Sequence, residues 1–478
     1  MNSLKKNFIF DIINTVSSLV FPMITFPYVS RILGPEGLGI TGFMGSIVNY
    51  IILIVTLGIP TYATREVAKV REDKVKLTKL TKEILYLHSM LAIGGYATVL
   101  IILFTVPQVI AHKTIFLLAS LHIGVNVLGV TWFYSGTEQF RYITMRGLAV
   151  RCLSVPALFI FVHTQEDIIP YMLVNLCAEM GNYFVNFFRL DKCIDWKQWT
   201  WPELNIRQHL PSIWTLFISS VAVTIYFNLD NLMIGFISGE NAVGYYAPSL
   251  RLQRLLMGVV ISVGTVVFPR LSYLSKCENK EEYDNLAAKA IKITMSIGFP
   301  LCVGLICLAR PLIELFAGEQ YIPSIITLQL LAPVVFLGAM SNVVAKILIS
   351  SGKEKQMTKA TIVGALVNAS LNALLIYYFS HRGAALASSI AELSVIVSML
   401  VLGSSVIPFR LIGKKCLIYP LSALVMGLII YLLPFDNSLL QITVGFVVGV
   451  VIYLFGLKMA NERLLLPSII NMLSKFRL

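Results

Sequence analysis

Windows of about twenty apolar residues recur along this chain, each long enough as a helix to cross the ~30 Å hydrocarbon core of a bilayer. Fourteen such windows fall at 8–33, 40–62, 83–106, 113–135, 142–163, 168–190, 209–237, 244–269, 287–309, 322–350, 357–379, 383–407, 414–433 and 438–457. Of the 478 residues, 57% are apolar and only 13% are charged. A mean hydropathy of +0.79 leaves too little polar surface to cover a water-soluble core. The expected fold is therefore an all-α integral membrane protein of about fourteen transmembrane helices. Lys5 and Lys6 precede a first apolar run that is too long for a cleaved signal and lacks a small-residue cleavage site, so it reads as the first span.

The net charge of +13 invites a nucleic-acid reading, but its distribution argues against one. With the N-terminus in the cytoplasm, Arg31, Lys113, Arg310 and Arg382 fall outside. Arg251 and Arg254 fall within a span, and Lys346 lies near an inner helix end; the other 31 of 38 Lys and Arg lie inside. The segment REVAKVREDKVKLTKLTK at 65–82 alone carries seven. That bias is the positive-inside pattern and predicts both termini in the cytoplasm. The seven cysteines form no CxxC pair and the six histidines no metal-ligand pattern. No nucleophile elbow or P-loop is present in a suitable context, so the chain reads as neither an enzyme nor an ATP-driven pump. No cofactor is expected beyond coupling to H+ or Na+.

The two halves resemble each other. ILGPEGLGITGF at 32–43 and ISGENAVGYYAP at 237–248 each join two spans through a short outer turn, and Gly39 and Gly244 lie 205 residues apart. Six spans separate the copies, an even number, so the repeat is parallel. The expected organisation is a six-helix bundle over 1–190, an interfacial linker over 191–208, a second six-helix bundle over 209–407, and an added helix pair with a tail over 408–478. Trp196, Trp199 and Trp201 suggest that the linker lies along the inner membrane surface. Trp132, Tyr134, Tyr245 and Tyr246, near span ends, read as aromatic-belt residues, with sugar stacking as the alternative.

Polar residues within spans mark candidate sites, because leaving them against lipid costs several kcal/mol each. Arg251 and Arg254 are three residues apart on one face of the eighth span, ~10 and ~15 Å from its outer end. Two guanidiniums suit a phosphate or diphosphate, which accepts paired hydrogen bonds. Asp230, level with Arg251, is either a clamp to it or a part of the same cavity. Asn175, Glu179, Asn182 and Asn186 follow spacings of four, three and four, and so form one stripe on the sixth span. Glu179 and Glu392 lie near mid-membrane and are either protonated structural groups or ion-coupling groups. Asn49, Asn368 and Asn372 read first as interhelical hydrogen-bonding residues.

FPYVSRILGPEGLGITGF, LGIPTYATREVAK, WFYSGTEQFRYITMRGLAVR and LDNLMIGFISGENAVGYYAPSLRLQRL resemble segments of the bacterial polysaccharide flippases. These belong to the superfamily of multidrug, oligosaccharidyl-lipid and polysaccharide exporters. The resemblance implies two six-helix bundles plus an extra pair, alternating access to a cationic cavity, and a bacterial inner-membrane location. It implies an oligosaccharide on undecaprenyl pyrophosphate as substrate, flipped for O-antigen, capsule or a similar polymer. Glycosyltransferases and a polymerase are the implied partners. Arg251 matches a cavity arginine of such proteins and Arg31 a basic residue near the outer end of the first span; Arg254 is added on spacing alone. A multidrug antiporter of the same superfamily is the alternative. A membrane scaffold or a glycan-pathway enzyme is remote, because the outer loops are short.

Overall fold

The computed structural model describes residues 2–197, 203–277, 279–433 and 437–459. Trp199, Trp201 and the tail beyond Met459 lie outside the described residues. Every regular element among them is helical, as a lipid environment demands of backbone that must satisfy its own hydrogen bonds. Nine of these helices are long and apolar enough to cross a membrane. Two compact units divide the chain, Met1–Phe236 and Ile237–Leu478.

The first unit contains α1 (Asn2–Thr56), α2 (Ile59–Val70), α3 (Lys74–Thr105), α4 (Pro107–Ala111), α5 (Lys113–Val127), α6 (Thr131–Gly136), α7 (Phe140–Phe161) and α8 (Ile168–Arg189). The helix α9 (Leu210–Ser238) follows and runs two residues past the unit boundary. The helix α1 holds the first two expected spans, joined at Gly34. By the repeat α9 belongs to the second half, yet it packs within the first unit. Gly58 abuts Leu216 and Phe217, Gly235 leaves no room for a Cβ beside Phe43, and Phe236 meets that ring edge-on at 5.0 Å. A side chain starts α3. Asp73 caps α3 through the Val75 and Lys76 backbone N–H groups. Hydrogen bonds from Lys76 hold that carboxyl below its usual range. Before α8, the His163 and Thr164 backbone N–H groups do the same for Asp167.

One end of this unit is a core of Ile59, Tyr62, Val67, Ile84, Trp132, Phe133, Tyr134 and Ile143, which Leu190, Ile194 and Ile213 of the connecting segment join. The belt assignment of Trp132 and Tyr134 is therefore corrected. They are 5% and 0% exposed, and the Tyr134 hydroxyl donates to the Asn186 carbonyl at 2.7 Å. Tyr246, at 0%, is likewise core. The same end holds a buried polar clamp. Glu83 accepts from the Asn205 N–H at 2.8 Å and the Gln208 amide at 3.1 Å, and lies 2.9 Å from His209 Nε2. His209 Nδ1 lies 2.7 Å from the Tyr62 hydroxyl, and Lys82 donates to the Trp196 carbonyl at 2.6 Å. The linker is thus pinned into the first unit at both of its described ends.

The second unit runs α10 (Glu240–Lys276), α11 (Lys280–Cys307), α12 (Ala309–Phe316), α13 (Ser324–Ser350), α14 (Glu354–Leu402), α15 (Phe409–Ile412), α16 (Ile418–Tyr431) and α17 (Ser438–Met459). The eleventh and twelfth expected spans share α14, which bends at Ser380. Serines cross-link the helices: Ser249 donates to the Ser324 carbonyl, and Ser324 to that of Tyr245. Small residues let backbones approach, as where Gly427 of α16 meets Val303 of α11. Tyr453 of α17 donates to the Ser296 carbonyl at 2.8 Å, so the last helix pair packs on α11. All seven cysteines are free thiols.

The internal repeat has a backbone signature. Gly34 (φ 67°, ψ −176°) and Gly239 (φ 85°, ψ 176°) share one conformation and stand 205 residues apart, the spacing of Gly39 and Gly244. That region of backbone space is closed to residues with a Cβ, at about 1–3 kcal/mol. No atom lies within 4 Å of a Cβ built on Gly239, so the requirement there is conformational, not spatial. Gly239→Ala is expected to lower the apparent melting temperature in detergent. Gly45→Ala, in open space within α1, should leave it unchanged or raise it. Equal melting of the two variants would refute the backbone argument.

Candidate functional site

The stripe expected on the sixth span is present on α8. At 100° per residue its four members lie within about 60° of arc, facing α5 and α7. Asn182 accepts at 3.1 Å from Arg146 Nε on α7, and Asn186 donates to Thr131 at 3.4 Å. Asn175 bonds its own helix at the Tyr171 carbonyl. Glu179 lies 3.1 Å from His122 Nε2 on α5. The stripe carries a cost in composition, for α8 is 22 residues long yet is not among the nine helices apolar enough to span.

Two guanidiniums, Arg146 and Arg189, meet beside this stripe, and a third, Arg151, lies five residues further along α7. Arg146 packs 5.6 Å from the centre of the Tyr142 ring, and Arg189 packs on the same ring at 3.8 Å. The two Cζ atoms are therefore no more than 9.4 Å apart, the sum of those distances. Arg189 also donates to Gln139 at 3.1 Å, and Arg151 bonds Asn14 and Ser17 of α1. Among the described residues none of the three has a carboxylate partner. Arg146 Nη1 is fully buried and makes no protein hydrogen bond. Like charges held together over one aromatic ring, with neutral amides as neighbours, leave a net positive site. Such a site binds an anion with several oxygens through paired, charge-assisted hydrogen bonds.

The charge tally of the sequence puts Arg146 and Arg151 with the inner loops. In the structure they lie six and eleven residues inside α7, ~9 and ~16 Å along it. The only sequence signal for them is the run FRYITMRGLAVR, with Tyr142 four residues before Arg146. Of the residues singled out from sequence, Asn175, Glu179 and Asn182 belong to this cluster. Arg31 is exposed on α1 and reaches the Pro27 carbonyl, and Asn49 is exposed on the same element. Asp230 is buried on α9, close enough to Tyr50 to act on it electrostatically. Arg251 and Arg254 are exposed on α10 in the second unit. Glu392 is buried on α14, beside Gly338 of α13 and near Met257 of α10. Asn368 and Asn372 of α14 are buried and bond each other at 3.1 Å.

Helices long and apolar enough to cross a membrane in two units, one of which carries arginines with no carboxylate partner among the described residues, define a polytopic membrane protein. The sequence model of the polysaccharide biosynthesis protein family matches residues 4–275, and that of the lipid II flippase MurJ matches 198–455. The chain belongs to the polysaccharide-biosynthesis flippases of the multidrug, oligosaccharidyl-lipid and polysaccharide exporter superfamily. It is 26% identical to a protein named "Putative O-antigen transporter" of Escherichia coli (strain K12), over 80% of this chain and 92% of that one. Its fold is similar to a lipid II flippase MurJ in an inward closed conformation, with TM-score 0.77, 18% identity, and 95% and 98% of the two chains covered. It is also similar to an inward-facing multidrug resistance MATE family transporter, with TM-score 0.64, 15% identity, and 81% and 94% covered.

Proposed function

We propose that this protein flips an oligosaccharide carried on undecaprenyl pyrophosphate from the cytoplasmic to the outer leaflet of a bacterial inner membrane, for cell-surface polysaccharide synthesis. The observation that carries the reading is the cluster of Arg146, Arg151 and Arg189 with no carboxylate among its described partners. A sugar diphosphate cannot cross hydrocarbon unaided, whereas its polyprenyl tail is already at home there. A cationic polar site inside a helical unit supplies the missing environment for the headgroup, and its binding has to be reversible. On this reading the chain has fourteen spans with both termini inside. It works by alternating access coupled to H+ or Na+, and takes its substrate from glycosyltransferases before a polymerase. O-antigen-type substrates are favoured by the name of the Escherichia coli relative.

The same cluster disfavours organic cations, the cargo of the alternative reading, by simple repulsion. Reconstitution in sealed vesicles separates the two. Protein-dependent exposure of a lipid-linked oligosaccharide to an external lectin is expected, with no movement of a cationic dye. Dye transport without oligosaccharide transfer would overturn the assignment. For Arg251 and Arg254, on α10 of the second unit, a headgroup-binding role is proposed separately. Arg251→Ala is expected to insert normally and to slow transfer about tenfold or more, the worth of a charge-assisted hydrogen bond. Unchanged transfer would remove Arg251 from the site.

A further inference from the structure

We propose that His122 and Glu179 form a one-proton site whose filling favours the anion held at Arg146. The inference rests on the headgroup reading given above and adds the identity of the coupled ion and the sign of the coupling.

The geometry of the imidazole fixes the proton count. His122 Nδ1 lies 3.0 Å from the Ala119 carbonyl oxygen, which only accepts, so Nδ1 carries a hydrogen. The other nitrogen, Nε2, faces Glu179 Oε2 at 3.1 Å. A hydrogen bond there needs one proton, on either atom. An imidazolium with a carboxylate and a neutral imidazole with a carboxylic acid are the same composition with the same net charge, zero. If the proton leaves, a lone pair faces a carboxylate, the pair carries one negative charge, and the contact between α5 and α8 loses its bond. The His122 and Glu179 side chains are 23% and 51% exposed on the protein.

The pair is placed to sense the cationic cluster. Asn182, which accepts from Arg146, is three residues from Glu179, ~4.5 Å along α8. From α7 the charged neighbour is Arg146. From α3 the titratable groups are Tyr96, whose hydroxyl accepts from the Gly124 N–H of α5, and His88 two turns further along. The helix α1 meets α8 where Gly37 approaches Ile168, which places Arg31 and Glu36 ~16 Å from Glu179 along α8. Glu179 is thus the carboxylate nearest to Arg146 along this stripe. An anion on Arg146 is repelled by the empty pair and not by the filled one. Proton and diphosphate therefore bind together, and by reciprocity each raises the affinity for the other.

Calorimetric titration of the purified full chain with farnesyl diphosphate, against empty-micelle blanks, tests this. Running it in two buffers of different ionisation enthalpy counts the protons taken up on binding. Glu179→Gln keeps an amide hydrogen for His122 Nε2 and so preserves the contact. It removes the titration, and the probe's own proton exchange is common to both proteins. The wild type is expected to take up more protons than Glu179→Gln. Its Kd should also weaken between pH 6.5 and 8.5 by about fivefold more than that of the variant. Equal proton uptake and equal pH dependence, with binding lost in Arg146→Ala, would overturn the proton site and leave the headgroup site standing. Wild-type binding by Arg146→Ala would overturn both.

Discussion

Arg146→Ala should slow oligosaccharide transfer about tenfold or more while making the protein no less stable. The guanidinium has one hydrogen bond, to Asn182, and a buried Nη1 that no protein group satisfies. An unsatisfied buried donor costs about 1–3 kcal/mol, so its removal relieves as much as it loses. Transfer depends on the charge and the fork, and is expected to fall about tenfold to a hundredfold. Arg146→Lys restores charge but neither the paired donors nor the stacking on Tyr142, and should recover only part of the rate. The checks are transfer rates in sealed vesicles beside melting temperatures in detergent. A destabilised Arg146→Ala protein, or one with wild-type transfer, would show that the residue merely holds α7 to α8. A gain in stability with a loss of activity marks a group kept for its ligand.

The opposite pattern is expected at the clamp. Glu83 is 2% exposed and takes three donors from the linker: Asn205, Gln208 and His209. Glu83→Ala strands all three in a buried site, and each buried donor left unsatisfied costs about 1–3 kcal/mol. An apparent melting temperature lower by about 5 °C or more is expected. Glu83→Gln keeps one acceptor oxygen and should lie between. The matched test pairs Glu83→Ala with Tyr62→Phe, which removes only the far hydroxyl and should cost about 1 kcal/mol. Equal melting of Glu83→Ala and wild type would mean that the linker is held by its apolar residues alone.

How much of this was legible in the sequence depended on the range of the signal. Hydropathy is local, so the membrane class and the breaks near Gly34 and Gly239 could be read directly. The α8 stripe was legible too, because spacings of four, three and four need only one helix. Its partners were not. His122 lies 57 residues before Glu179, and a lone histidine in an apolar run has no local sign of what it faces. Arg146 and Arg151 were masked by the positive-inside pattern itself, which treats an arginine near an inner helix end as a loop charge. The clamp joins residues 126 apart, and the linker's tryptophans drew attention to the lipid surface and away from Glu83. Trp132 and Tyr134 show the same limit from the other side, because position near a helix end cannot tell a belt ring from a core ring.

The paired glycines also suggest how relatives of this protein could be recombined. Two joints of one backbone conformation, 205 residues apart, give a natural frame for exchanging whole halves between homologues. Hybrids spliced in phase at residues 34 and 239 should insert and fold. Splices a residue or two out of phase would rotate every downstream helix by about 100° per residue and turn polar faces toward the acyl chains.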